Sequence, residues 1–228
     1  MKLLSKMVLA AGFATLLGCS EQEMSTKEVQ LSNEIDSVSY SLGVNIAQNI
    51  KSQGMDVVNV NALAKAFNDV LGDQTLKLDQ TTCSMVINTY FQNLQTSRSE
   101  KSKEAGLAFL EENKNKENVI TTESGLQYEI ITEGTGPIPK EDNTVTVHYH
   151  GTTIDGTVFD SSVDRGEPVS FPVNGVIMGW QEALQLMPVG SKWKIYVPSE
   201  LAYGERGAGR DIGPNETLIF EVELMNIN

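Results

Sequence analysis

Cysteine and histidine are almost missing from this chain of 228 residues: Cys19, Cys83, His148 and His150 are all it has. So few thiols and imidazoles exclude a disulfide framework and leave no Cys/His zinc set. His148 and His150 share one strand face, a spacing that could hold a metal, but no third ligand accompanies them, and they read as solvent-facing side chains. Basic charge is also short, with 17 Lys and Arg against 30 Asp and Glu and a net charge of −13. Such a surface argues against nucleic acid or an anionic membrane face as a direct ligand. No apolar run is long enough to cross a bilayer as a helix, since the best one ends at Leu17. Gly207-Ala208-Gly209 lacks the Gly-Lys-Ser/Thr of a phosphate loop, and no nucleophile stands beside a base.

What is present is ordinary for a soluble protein, 40% hydrophobic and 21% charged, with length for one or two domains. Residues 1–18 read as a targeting segment, with Lys2 and Lys6 ahead of the apolar run from Met7 to Leu17. Leu16-Leu17-Gly18-Cys19 resembles a bacterial lipoprotein cleavage box, which makes Cys19 the expected lipidation site; an ordinary signal peptide followed by a stray Cys is the other reading. By resemblance to enterobacterial-type sorting, Ser20 rather than Asp after the cysteine favours the outer membrane over the inner, and several acyl chains would anchor it stably. Residues 19–33 are polar and read as a tether. Cys83 reads as a small buried residue on a helix, with an intersubunit disulfide as the alternative.

From Ile35 the grammar is helical. Ile35, Val38, Leu42, Ile46 and Ile50 recur at three- and four-residue steps and stop near Gly54. A second helix is expected from about Asn61, a good N-cap, to Gly72. A third starts near Asp79 and can be followed to about Asn115. Its residues 95–104 are polar all round, so they are expected to form a solvated connector or a break. Three thin apolar stripes make little core, and a partner chain over residues 34–118 would complete it; a monomeric three-helix spacer is the alternative.

From Val119 the pattern turns to strands. Thr144 to Tyr149 alternates strictly, placing Val145, Val147 and Tyr149 on one face. Asp155-Gly156 marks a hairpin turn, Gly179 to Leu186 a short helix, and Lys192–Val197 and Thr217–Leu224 further strands. The expected class is α+β: an all-α N-terminal arm with a long connecting helix, then an antiparallel half-barrel wrapped on a short helix over residues 119–228.

Four pieces of this second half gather aromatic and aliphatic side chains around one acid and a phenol: Val147-His148-Tyr149, Phe159-Asp160-Ser161-Ser162, Val176-Ile177-Met178-Gly179-Trp180, and Ala202-Tyr203-Gly204 with Ile212-Gly213-Pro214 through Phe220. From the residues alone, Trp180, Phe220 and Val176 read equally as plain core, Tyr149 and Tyr203 as half-buried phenols, and Asp160 as a turn or cap acid. In order and wording, however, these pieces resemble the FKBP-type peptidyl-prolyl isomerases over roughly residues 125–228. The helical half resembles, more weakly, the dimerising arm of the macrophage infectivity potentiator branch, in layout and in Tyr40-Ser41-Leu42-Gly43.

The resemblance implies an isomerase that twists Xaa-Pro amides without a cofactor or metal. It implies Asp160, Tyr203 and Tyr149 as the catalytic set and Phe159, Val176, Ile177, Trp180, Ile212 and Phe220 as the substrate-binding wall. Trp180 would be the floor, and the Ile177 N–H and Tyr203 hydroxyl would meet substrate carbonyls. It also implies macrolide ligands, a homodimer through residues 34–118, and clients among unfolded envelope proteins, with the chain lipid-anchored at the outer membrane and facing the periplasm. A proline-binding chaperone with little turnover is the alternative. Val169, the short Val173–Val176 segment and Gly213-Pro214 depart from common members, and bear on the preference for the residue before proline.

Overall fold

A computed structural model describes residues 28–228, which divide into two compact units, residues 52–54 with 77–228 forming one of them. The expected signal segment, Cys19 and most of the tether lie outside the described residues. Among the described residues no helix is long and apolar enough to cross a membrane.

The first unit holds two helices, α1 (Glu34–Ser52) and α2 (Val60–Leu71). Asn33 caps α1 by accepting the Asp36 N–H at 2.9 Å, and Asp36 reaches back to the Ser32 N–H at 3.0 Å, so two orphan donors are satisfied reciprocally. The cap of α2 is Asn59 rather than Asn61: its side chain accepts the Ala62 N–H at 3.1 Å, one short step earlier than the apolar pattern begins. The apolar stripe of α1 is real but mostly uncovered: Ile35, Val38 and Leu42 are exposed, Ile46 and Ile50 are partly covered, and no residue of the helix is buried.

The second unit begins with α3 (Gln80–Asn113), capped by Asp79, whose carboxylate accepts the Thr82 N–H at 2.7 Å. Of the two readings of residues 95–104, a solvated connector or a break, the break is absent, and the helix runs through them unbroken. The physical reason is a seam of small and polar residues. Ser99 Oγ accepts from the Asn215 side chain at 2.7 Å, and the Ser102 hydroxyl donates to Glu216 at 2.9 Å. One turn on, Gly106 lies so close to Thr217 that a Cβ there would fall 2.4 Å from its Oγ1. Phe109 meets the Tyr196 ring at 5.7 Å, and the buried Asn113 donates to Gln127 at 2.9 Å. Gln127 in turn donates to the Leu110 carbonyl at 2.9 Å. Cys83, expected to be buried, is only partly covered on α3.

The strands that follow are β1 (Ile120–Thr121), β2 (Gln127–Thr132), β3 (Thr144–Thr153), β4 (Val158–Ser161), β5 (Val169–Pro172), β6 (Lys192–Val197) and β7 (Leu218–Ile227). They pair antiparallel in the order β1-β2-β6-β7-β3-β4, with β5 also on β3. β3 and β7 are both central and each buries alternate residues, as a sheet with one dry face requires. The one-turn helix α4 (Ser162–Arg165) follows β4, and α5 (Met178–Leu184) lies on the dry face. There Trp180, Ala183 and Leu184 pack with Val147, Ile195, Val197 and Val222. Each fully buried large aliphatic side chain contributes roughly 1.5–3 kcal/mol.

Candidate active site

Strand alternation sets the first residue of the site. Tyr149 stands on β3 with Val145 and Val147 on the dry side, 6% exposed. Along this edge of β3 two short strands share the pairing: β5 takes Thr144–Val147 and β4 takes His150–Thr152. Tyr149 falls in the gap between them, and Ser162 fills in for the missing strand. The Tyr149 N–H donates to Ser162 Oγ at 2.7 Å, and that hydroxyl donates back to the Tyr149 carbonyl at 3.2 Å. The tyrosine backbone is therefore held even where the ladder is interrupted.

Its phenol is held as well. The Tyr149 hydroxyl donates to Asp160 at the end of β4. Arg165, five residues on across α4, pairs one guanidinium nitrogen with the same carboxylate and the other with the Tyr149 hydroxyl at 3.0 Å. Its guanidinium carbon also sits 5.7 Å from the centre of the Tyr149 ring. Burial alone would push the Asp160 carboxyl up, but the bonds from Tyr149 and Arg165 outweigh it and hold the carboxyl below its ordinary value. Burial, and then the bond to anionic Asp160, pushes the Tyr149 phenol up. At neutral pH the network is carboxylate, phenol and guanidinium, with one proton donor at each contact.

Behind this polar rim is a box of rings. Trp180 on α5, 4% exposed, meets Tyr149 at 5.4 Å, Phe220 at 5.3 Å and Phe171 at 6.2 Å, all three edge to face. Phe159 meets Phe220 edge to face at 5.4 Å. Perpendicular rings leave each π face turned to a partner's edge or to the space between them. Gly151 makes the box possible: a Cβ there would fall 2.7 Å from Phe159 and 2.9 Å from Phe220.

The segment before α5 supplies Val176 and Ile177, both partly buried against this core. The Ile177 carbonyl starts the helix, accepting from the N–H groups of Trp180 and Gln181 at 2.9 and 3.0 Å. Gln181 ties the turn down from the other side, its amide donating to the Val176 carbonyl at 2.7 Å. Ile212 is buried in the same cluster and forms a small bridge with Ala208. Tyr203 is 41% exposed, and burial of its ring followed by the nearby charge of Asp160 pushes its phenol up.

Every expected wall residue thus belongs to the core cluster that holds Trp180, while Asp160 joins it through its bond to Tyr149 and Tyr203 stands near the charge of Asp160. Reading the sequence missed Arg165, Phe171 and Gln181. Phe171 had a signal in the alternation of Val169-Ser170-Phe171, which becomes β5; Arg165 had none beyond its distance from Asp160. His148 and His150 sit on the outward side of β3 but are half-buried rather than solvent-facing, bonded at 3.0 Å to Ser162 and Ser161. With Asp164, Lys192, Glu221 and Glu223 they line an outward hollow of about 310 Å³. Among the described residues no group of three His, Cys, Asp or Glu is placed to hold a metal ion.

The chain is similar to known proteins. Residues 136–225 match the family model for the FKBP-type peptidyl-prolyl cis-trans isomerase, and residues 35–130 match that for the domain amino terminal to it. The chain is 43% identical over 229 residues to the outer membrane protein MIP of Legionella longbeachae, covering 97% of this chain and 98% of that one. It is 46% identical over 192 residues to the FKBP-type 22 kDa peptidyl-prolyl cis-trans isomerase of Escherichia coli K12, covering 83% and 93%. The crystal structure of FkpA from Escherichia coli superimposes with a TM-score of 0.70 at 31% identity, over 87% of this chain and 99% of that one. The chain belongs to the FKBP-type peptidyl-prolyl cis-trans isomerase family and is an enzyme of that activity.

Proposed function

We propose that the aromatic box around Trp180 is where this isomerase twists its Xaa-Pro amide, with Tyr149, Asp160 and Tyr203 as the catalytic set. The observation that carries the reading is the arrangement of rings: three aromatic rings stand perpendicular to one buried indole, whose Nε1 has no hydrogen-bond partner among the described residues, beside the bonded Tyr149, Asp160 and Arg165. An Xaa-Pro amide resists rotation by ~18–20 kcal/mol because resonance holds it planar. A dry cradle disfavours the polar planar amide relative to the twisted state, in which that resonance is lost. Trp180 is the floor under the proline ring, with Phe159, Val176, Ile212 and Phe220 as walls. The Ile177 N–H, for which no partner is found among the described residues, receives one substrate carbonyl and the Tyr203 hydroxyl another. Asp160 orients Tyr149 and faces the rotating carbonyl. Macrolide ligands take the same box.

The same reading extends to the whole chain. Residues 1–18 are a signal segment, Cys19 is acylated, and 19–33 tether the protein at the outer membrane facing the periplasm, where its clients are Xaa-Pro segments of unfolded envelope proteins. The name of the Legionella relative, an outer membrane protein, supports that placement. Residues 34–118 form the dimerising arm and connecting helix, and 119–228 the isomerase domain. Uncovered apolar side chains on both helices of the first unit support a homodimer.

The deciding experiment follows the cis-to-trans rate of an Xaa-Pro peptide with the wild type, Tyr203→Phe and Asp160→Ala. Asp160→Ala should lower kcat/KM about tenfold, equivalent to ~1.4 kcal/mol of transition-state stabilisation. Tyr203→Phe should act in KM by about threefold. Folded variants with unchanged rates would place the reaction elsewhere on the molecule.

A further inference from the structure

We infer that Asn215 is a positioning residue of the isomerase site, and that α3 supports the substrate pocket through it. This rests on the reading of Tyr203 and Ile212 as substrate-facing. The loop that carries both leaves the sheet domain at Tyr203, turns over Gly204–Arg206 and closes on itself where Ala208 and Ile212 exchange bonds of 2.9 and 3.2 Å. It returns at Asn215, just before β7. The Asn215 N–H donates to the Gly204 carbonyl at 2.8 Å, so the two ends of the loop are stapled at the residue next to Tyr203.

Asn215 meets two demands at once. Its φ is +57°, a left-handed backbone that glycine and asparagine adopt most readily. Its side-chain amide, only 9% exposed as a residue, donates to Ser99 of α3 at 2.7 Å. Glycine would satisfy the backbone and not the bond; most other residues would satisfy neither. Ser102 to Glu216, and Gly106 against Thr217, extend the hold along the same helix face. The base of the loop is therefore seated on the helix, and the loop's position over the pocket depends on that seat.

The test uses the full chain and a series of peptides that differ in the residue before proline. Asn215→Gly keeps the left-handed backbone and removes the amide; Ser99→Ala removes its acceptor. Each should lower kcat/KM by about three- to tenfold, mainly through KM, and change the ranking of the peptides. The double variant should be no worse than either single one, because the two share one bond. Asn215→Asp, which can accept from the Ser99 hydroxyl, should recover most of the loss in the wild-type background but none of it with Ser99→Ala. Ser97→Ala, on the exposed side of the same helix, should change nothing.

Additive losses, a uniform loss across all peptides that follows a lowered melting temperature, or no loss would overturn the inference. If Tyr203→Phe lowers activity while Ser99→Ala and Asn215→Gly do not, this inference alone falls. If Tyr203→Phe is also without effect, the pocket reading falls with it.

Discussion

Arg165 presents one guanidinium nitrogen to the Asp160 carboxylate and the other to the Tyr149 hydroxyl, a planar two-point contact that lysine cannot copy. The pH behaviour of the site follows from it. The Asp160 carboxyl is held below its ordinary 3.8, so its contribution is complete above that value and lost as pH falls through the lower folded one. The Tyr149 phenol is raised above its ordinary 10.0, so its contribution is complete below that value and lost only as pH rises through the higher folded one. Between about pH 5 and 9 neither group titrates, and kcat/KM of the wild type should be flat. Arg165→Ala leaves burial opposed by the bonds from Tyr149 and the Ser161 backbone, so the Asp160 carboxyl should rise and the acid limb of the profile move to higher pH. Arg165→Lys should give an intermediate profile. Tyr149 and Asp160 were legible in the sequence as family wording, whereas Arg165 was not. Its partners are set by the turn of α4, and a lone arginine in a polar stretch carries no pattern.

At the scale of the element, α3 shows how a helix can be seated without an apolar stripe. Ser99, Ser102, Gly106, Phe109 and Asn113 recur at alternating three- and four-residue steps, the spacing of a seam, yet Phe109 is the only large apolar member. Two hydroxyls, one missing side chain and one amide do the docking. The sequence reading looked for hydrophobic periodicity and so expected solvent or a break here. Gly106 offers a quantitative check. Gly→Ala inside a helix is worth up to ~1 kcal/mol of propensity, whereas overpacking typically costs ~1–3 kcal/mol. A Cβ at 2.4 Å from Thr217 Oγ1 makes the clash the larger effect, so Gly106→Ala should lower stability in chemical denaturation by about 1 kcal/mol. In a Thr217→Ala background the same Gly106→Ala change should be neutral or stabilising. A loss of equal size in both backgrounds would mean that Thr217 is not what the new methyl meets.

At the scale of the whole molecule, the two units differ in how far each completes its own core. The sheet unit encloses a continuous cluster around Trp180, Ile195 and Phe220. The helical unit leaves Ile35 72%, Leu42 55% and Phe67 46% exposed in the single chain. Apolar area uncovered at helical spacing is what a second copy would bury, at about 25 cal/mol per Å². Sedimentation of the wild type should therefore give twice the chain mass. Leu42→Glu or Phe67→Glu should give a monomer with a less stable helical unit and an unchanged kcat/KM on short peptides. A wild type that sediments as one chain would refute the dimer; short-peptide activity lost with dimerisation would mean that the site needs the partner.

What the sequence determined by itself was whatever repeats along the chain or sits beside its partner. The alternation of Val145, Val147 and Tyr149 fixed which side of β3 is dry, and Asp79 marked where α3 begins. The family wording placed Asp160, Trp180 and Tyr203 at one expected pocket; the fold packs Trp180 with Tyr149, Phe171 and Phe220 and bonds Asp160 to Tyr149. Only the tertiary structure decided the rest. Ser99 lies 116 residues from Asn215 and Ser102 lies 114 from Glu216, and nothing in composition or periodicity names either partner. Burial of apolar area is non-directional and scales with surface, so it can be read from a pattern. A hydrogen bond or a close backbone approach depends on where one atom of a distant residue stands, and that position exists only once the chain has folded.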